Sequence, residues 1–193
     1  MSPFEFFFSL YGLVLGLSVV EVVSGFARLA HDSRGVKVGL LTPVLALLVL
    51  TDLCGFWLTA YQSYSDRPLG YEVIVFALGA SALYYVAASV VFPREFRDEP
   101  DLDEVYLRHR RLIMVCIATA GIVMFELIPS LTPEGRAYRF AFWTDLSQSW
   151  QPLVFFACMP LIILTRRKAA NLALLLVMLS VNITSFLRLP PLT

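Results

Sequence analysis

Asp52 lies deep within an apolar run, Leu40 to Tyr61, at any reasonable choice of the run's ends. At 1.5 Å per helical residue it sits about 18 Å in from Leu40. An acid at the centre of a membrane helix costs about 2.5–3.5 kcal/mol on insertion scales, so such residues usually serve a function. Hydrocarbon favours the protonated carboxyl unless a cation is close. A carboxyl balanced between its two forms can take up and release protons, as a coupled transporter requires. Gly55, Thr59 and Gln62 follow at i+3, i+7 and i+10, so one small or polar helix face leads from Asp52 to the end of the run. That face is suited to line a wet path. The competing role for Asp52 is a protonated donor that ties two helices together, and the spacing leaves both open.

Three further acids belong to apolar runs. Glu21 shares a face with Gly25 and Arg28 at i, i+4 and i+7, so Arg28 is expected to reach back toward Glu21 or toward an acid elsewhere. Glu126 and Asp145 fall near the ends of their runs. Asp145, Gln148, Ser149 and Pro152 form a polar stripe that ends in proline, and Pro160 adds a second point where a helix can kink. Broken helices of this type build binding sites in transporters, although an interfacial segment carried by Trp143 and Trp150 explains the same residues. Asn182 with Ser185, and Ser180 with Thr184, are spaced to bond across helices or to line a polar centre. Ser9, Gly12 and Gly16 form a small-residue strip where a neighbouring helix can approach, with a homo-oligomer as one outcome.

Other chemistries find no support. His31 and His109 both fall in polar segments, which argues against a haem held between paired histidines. Cys54, Cys116 and Cys158 lie in apolar runs without C-x-x-C spacing, and buried structural thiols are the expected reading. There is no H-E-x-x-H, G-x-S-x-G or P-loop pattern, and no base inside an apolar run to activate a serine. No cofactor or metal site is expected, and an enzyme is the less favoured class. A formal net charge of zero suggests no nucleic-acid partner.

The elements that must position these residues are membrane helices. Of 193 residues 58% are hydrophobic and 16% charged, against about a quarter charged in a soluble domain; the mean hydropathy is +0.73. The pattern predicts an all-α bundle of six transmembrane helices with short loops, over about 4–27, 40–61, 71–92, 112–128, 140–164 and 169–187. Its principal partner is the lipid bilayer. The first run carries Glu5 in place of a basic leader and exceeds a signal-peptide core in length, so it is expected to be a retained helix. The fifth span is the weakest, because its clean apolar part, Pro152 to Leu164, covers only about 20 Å; five spans are the alternative.

Eleven of the fifteen Lys and Arg residues fall in loops one, three and five, leaving Arg67, Arg136, Arg139 and Arg188 on the other side. The positive-inside rule then puts both termini outside the cytoplasm. An aromatic belt of Trp57, Tyr61, Tyr64, Tyr71, Tyr138, Trp143 and Trp150 at the outer ends agrees. A bacterial inner membrane is the expected location.

After Pro100, acids precede bases from Asp101 to Arg111, and Leu102, Val105, Tyr106, His109 and Leu112 fall on one side at helical spacing. An amphipathic helix over 101–111 that runs into the fourth span is expected, with Glu104 and Arg108 in supportive i,i+4 order. It is either a solvated extension or a docking surface for a protein partner or lipid headgroups. Two functions follow: a small transporter or channel, proton-linked through Asp52 with Glu21 and Arg28 near its cytoplasmic exit, or a non-catalytic subunit or signalling partner docking through the 101–111 helix.

Overall fold

A computed structural model describes residues 2–32, 36–64, 70–96 and 101–186. Arg34, Arg67, Arg97 and Arg188, which entered the charge balance, lie outside these residues, as do Pro100 and Leu187. Among the described residues the regular structure is helical, apart from an isolated bridge between Lys37 and Asp101. Seven α-helices follow one another: α1 (Pro3–Asp32), α2 (Leu41–Tyr64), α3 (Tyr71–Ser89), α4 (Leu102–Ile122), α5 (Pro133–Thr144), α6 (Leu146–Leu164) and α7 (Lys168–Phe186). All but α5 are long and apolar enough to cross a membrane. At 1.5 Å per residue even the 19-residue α3, α6 and α7 cover about 28 Å, close to the hydrocarbon thickness.

The fifth apolar run departs most from expectation. The single segment over 140–164 is two helices divided at Asp145, whose extended backbone (φ −96°, ψ 98°) ends α5 and caps α6. The Asp145 carboxylate accepts the Ser147 amide at 2.9 Å, satisfying one of the unpaired N–H groups of a helix start. At the other end of α5, Thr132 accepts from the Gly135 amide at 3.1 Å and Pro133 opens the helix, where its missing N–H costs nothing. The break leaves α6, by itself, long and apolar enough to cross a membrane.

The segment after Asp101 forms the first turns of α4, which runs unbroken from Leu102 into the fourth apolar run and continues through a π-helical turn, Val123–Leu127. Its side carrying Leu102, Val105 and Tyr106 is neither solvated nor a free docking surface but is buried in the bundle. The buried stripe then passes to Arg110, Ile113 and Met114, while Leu112 is exposed, because 3.6 residues per turn rotates the face away from it. Arg110 is thus buried, not a solvated loop charge. Its Nε donates to the Ile162 carbonyl at 3.1 Å near the C-terminus of α6, and its other nitrogen reaches Leu107 O. Tyr106 donates to Asn171 Oδ1 at 2.8 Å, and the Asn171 amide caps Thr165 O and Arg167 O, both at 3.1 Å. The α6–α7 turn is therefore held by α4.

Helices α2 and α4 are the centre of the bundle. The former packs against α1, α3, α4 and α7, and the latter against α2, α3 and α6. Helix α1 touches mainly α3 and α2, so it is peripheral, contrary to the central place its two small-residue faces suggested. Gly25 makes room for Phe92 of the α3 exit, whose ring would overlap any Cβ at that position and lies 5.0 Å from Phe26. Gly16 has nothing within 4 Å of its would-be Cβ, and Ser9 bonds back to Glu5 O at 2.7 Å; only Gly12 approaches another helix, at Trp57. The Ser9–Gly12–Gly16 strip is mostly bare.

One end of the bundle gathers the termini of α2, α4 and α7. Thr42 Oγ1 donates to Leu102 O at 2.7 Å, and Asp103 accepts the Leu41 amide at 3.1 Å over the space left by Gly39. Lys168 meets Asp101 at 3.3 Å and Glu104 at 3.1 Å, so Glu104 finds a cation on α7. The opposite end carries α5, and is called the α5 face below.

Candidate functional site

The predicted small and polar face of α2 converges on one cavity. It has a volume of about 470 Å³, opens at the α5 face, and is lined by α2, α4, α6 and α7 with α5 across its mouth. Asp52, Gly55, Thr59 and Gln62 run down its wall in the order their helical spacing demands. Glu126, Gln148, Pro152, Asn182 and Ser185 join them from α4, α6 and α7.

Asp52 is at the floor. Its carboxylate accepts from the Tyr84 hydroxyl of α3 through one oxygen, and from Asn182 Nδ2 of α7 at 3.3 Å through the other. Both donors are neutral. Every lining residue of α2, α4 and α7 lies at this level or nearer the α5 face. On the far side Leu45, Leu48, Val49, Ile113, Met114, Leu175 and Met178 are buried without a polar atom among their side chains other than sulfur. The cavity is therefore blind.

At the mouth the π-helical turn delivers Glu126. A π turn inserts one residue into the α repeat, and such turns recur at functional sites. Glu126 forms an ion pair with Arg139 of α5 and accepts the Trp143 indole N–H at 3.1 Å. The Arg139 guanidinium also stands over the rings of Phe142 and Trp143, 4.8 and 5.2 Å from their centres. Burial lowers its affinity for its proton relative to a free arginine, yet a guanidinium stays charged under any physiological condition. Gln151 Nε2 reaches Thr184 Oγ1 at 3.3 Å on the α6–α7 side. Ten of the twenty-seven lining residues are aromatic, so the walls are ring faces with a few amides and hydroxyls between them.

Three predicted site residues fall elsewhere. Asp145 is the cap of α6 and does not line the cavity; its carboxylate is taken by the Ser147 hydroxyl and amide and by Gln148 Nε2. Those bonds hold its carboxyl below the usual range. Glu21 accepts the Tyr85 hydroxyl at 3.5 Å on the α1–α3 side, and no ion pair joins it to Arg28 among the described residues. The Arg28 Nε is buried with no hydrogen-bond partner there. Phe92 occupying the Gly25 notch accounts for the separation of the two charges.

Arg139, Tyr84 and Gln151 were not singled out from sequence as site residues. Arg139 read only as a loop charge, because nothing in the sequence tells that α5 folds over the cavity. Tyr84 is an aromatic in an apolar run, and only the crossing of α3 behind α2 sets its hydroxyl on Asp52. Among the described residues no group of three or more His, Cys, Asp or Glu side chains is placed to hold a metal ion. No protein-family model, curated protein or solved structure matches this chain.

Proposed function

We propose that this protein is a small multi-pass membrane transporter that admits its solute from the non-cytoplasmic side, with Asp52 as the carboxyl that binds solute and proton in turn. The observation that carries this reading is the blind, polar-floored cavity: it reaches the middle of α2 and stops at a carboxylate. A site open to one side, at mid-helix depth, between helices interrupted by proline or a π turn is the arrangement alternating access requires. The apolar plug beyond Asp52 argues against a standing pore, so the channel form of the expectation is dropped. Glu21 and Arg28, remote from the cavity, have no part in it.

The α5 face takes the non-cytoplasmic side because the basic residues of the described loops concentrate at the other end, with Arg136 and Arg139 as the exceptions. The competing reading, a subunit that docks through the 101–111 helix, has the charged side of that segment, Glu104, Arg108 and Arg111, exposed to dock with. The apolar side of that segment is spent within the bundle, on Thr42, Asn171 and the end of α6.

The test uses the purified chain in liposomes holding a trapped pH-sensitive dye. Solutes of each charge class are added outside, and both proton movement and solute accumulation are read. We expect one class to move protons with wild type and not with Asp52→Asn. Folded wild-type protein that moves neither solute nor proton in any class would overturn the transport reading.

A further inference from the structure

We infer that the cavity takes an organic monocation with an apolar, ring-bearing body, its charge set against Asp52. This rests on the cavity described above and names its ligand class. Among the described residues three charged side chains line the space: Asp52, Glu126 and Arg139. Glu126 and Arg139 are paired with each other, so an ionised Asp52 leaves the cavity one negative charge in excess. Its two hydrogen-bond donors, Tyr84 and Asn182, are uncharged and leave lone pairs of the carboxylate unused. A buried charge without a counter-ion is costly, and two things on the page can relieve it: a proton, or a cation brought by a ligand.

The walls choose between cations. Phe56, one turn along α2 from Asp52, lies 4.6 Å from the Tyr84 ring and 5.5 Å from that of Phe125, and all three line the cavity. Aromatic faces carry negative potential and attract weakly hydrated organic cations, most strongly where water is excluded. A small, strongly hydrated metal ion would find, among the described residues, the Asp52 carboxylate and a Glu126 already paired with Arg139, with no group of three acidic or metal-ligating side chains, whereas such ions take six or more oxygens. An organic anion would meet Asp52 and an Arg139 already committed to Glu126. The volume, about 470 Å³, falls in the range of small-molecule sites.

Proton and cation then compete for one carboxyl: protonated Asp52 plus the cation gives the ion-paired complex plus one released proton. The titratable groups facing this site are Tyr84 from α3 and, toward the mouth, Tyr64 of α2, Glu126 of α4, and Tyr138 and Arg139 of α5; the lining residues of α6 and α7 carry none. Of these, Glu126 is the one other carboxyl, and it is paired with Arg139.

The test is equilibrium dialysis of the purified chain in lipid nanodiscs against tetraphenylphosphonium and against tetraphenylborate, its anionic twin in shape, with empty nanodiscs subtracted. We expect saturable binding of the phosphonium alone, at least tenfold weaker in Asp52→Asn and weaker at lower pH, with one proton released per ion bound. Phe56→Leu, which keeps the carboxylate, should weaken binding severalfold. Asp145→Asn, outside the cavity, should leave it unchanged. Equal or tighter binding of the borate, binding indifferent to Asp52→Asn in a monodisperse variant, or no binding of either ion by folded wild type would each overturn the inference. Asp52-dependent phosphonium binding without accumulation in liposomes would instead refute transport and leave the ligand class standing. Transport of an anion or neutral solute without phosphonium binding would do the reverse.

Discussion

Asn182 on α7 donates its amide to the Asp52 carboxylate on α2 at 3.3 Å, joining two residues 130 positions apart at the floor of the cavity. With the Tyr84 hydroxyl on the other oxygen, this makes one carboxylate the meeting point of α2, α3 and α7. Asp52 thus accepts hydrogen bonds from two neighbouring helices and also lines the cavity.

Because Asp52 serves both purposes, its partners can be separated from it. Interhelical hydrogen bonds within membranes average about 0.6 kcal/mol and reach about 1.7 kcal/mol. We expect Asn182→Ala and Tyr84→Phe each to lower stability within that range, measured by titration with a denaturing detergent. In the Asp52→Leu background the same changes should cost less, because the acceptor is gone. Full additivity across that cycle would show that the two donors act through something other than Asp52.

The mouth is fastened by the Glu126–Arg139 pair, with side chains 35% and 12% exposed. A fully buried pair broken on one side costs roughly 3–5 kcal/mol and an exposed pair under about 1 kcal/mol; this one falls between. We expect Arg139→Ala to destabilise by roughly 1–3 kcal/mol, and Glu126→Gln to cost less because Trp143 and Arg139 keep an oxygen to bond. Protease sensitivity within α5 reads the result, and a silent Arg139→Ala would show that α5 is held by its apolar contacts alone.

Gly25 should accept no larger residue quietly. The Phe92 ring fills the space a Cβ would take, and overpacking of this type costs about 1–3 kcal/mol. Gly25→Leu is expected to loosen α1 from α3, raising thiol reactivity of a cysteine placed at Phe26. Gly16→Leu, with nothing within 4 Å, should change neither.

Asp145 sets an acid limit on the start of α6. The bonds from Ser147 and Gln148 hold its carboxyl below the ordinary range, so its contribution is complete above the unfolded value of about 3.9 and fades as pH falls through the lower folded value. Asn retains the cap without the charge. We therefore expect wild type to exceed Asp145→Asn in melting temperature at neutral pH, and the gap to close below about pH 4. A gap independent of pH would assign the difference to shape and not to charge.

The elements were legible because their signals are local. Apolar runs of about 20 residues, stopped by Pro93 or Pro129 and separated by clustered arginines, mark helices without reference to anything distant. The break at Asp145 was present in the sequence as an acid followed by Ser147 and Gln148. In the sequence these residues form a polar stripe that ends in proline, and a cap and a stripe use the same residues until the backbone is known. Thr59, Gln62, Gln148 and Asn182 were found because a polar side chain in an apolar run has to be accounted for. Arg139 and Tyr84 escaped because each is ordinary for its position.

By itself the sequence determined that six helices are long and apolar enough to cross a membrane, that Asp52 lies deep in the second, and that a polar face runs from it to one end. Those properties follow from composition and from 3.6 residues per turn, which need no partner. Only the tertiary structure decided which helices surround that face, that α5 closes over it with Arg139 on Glu126, that the space is blind beyond Asp52, and that Glu21 and Arg28 stand apart. Those depend on which side chains meet across 13 to 130 positions of chain, and helical periodicity orients a residue about its own axis without naming its neighbour.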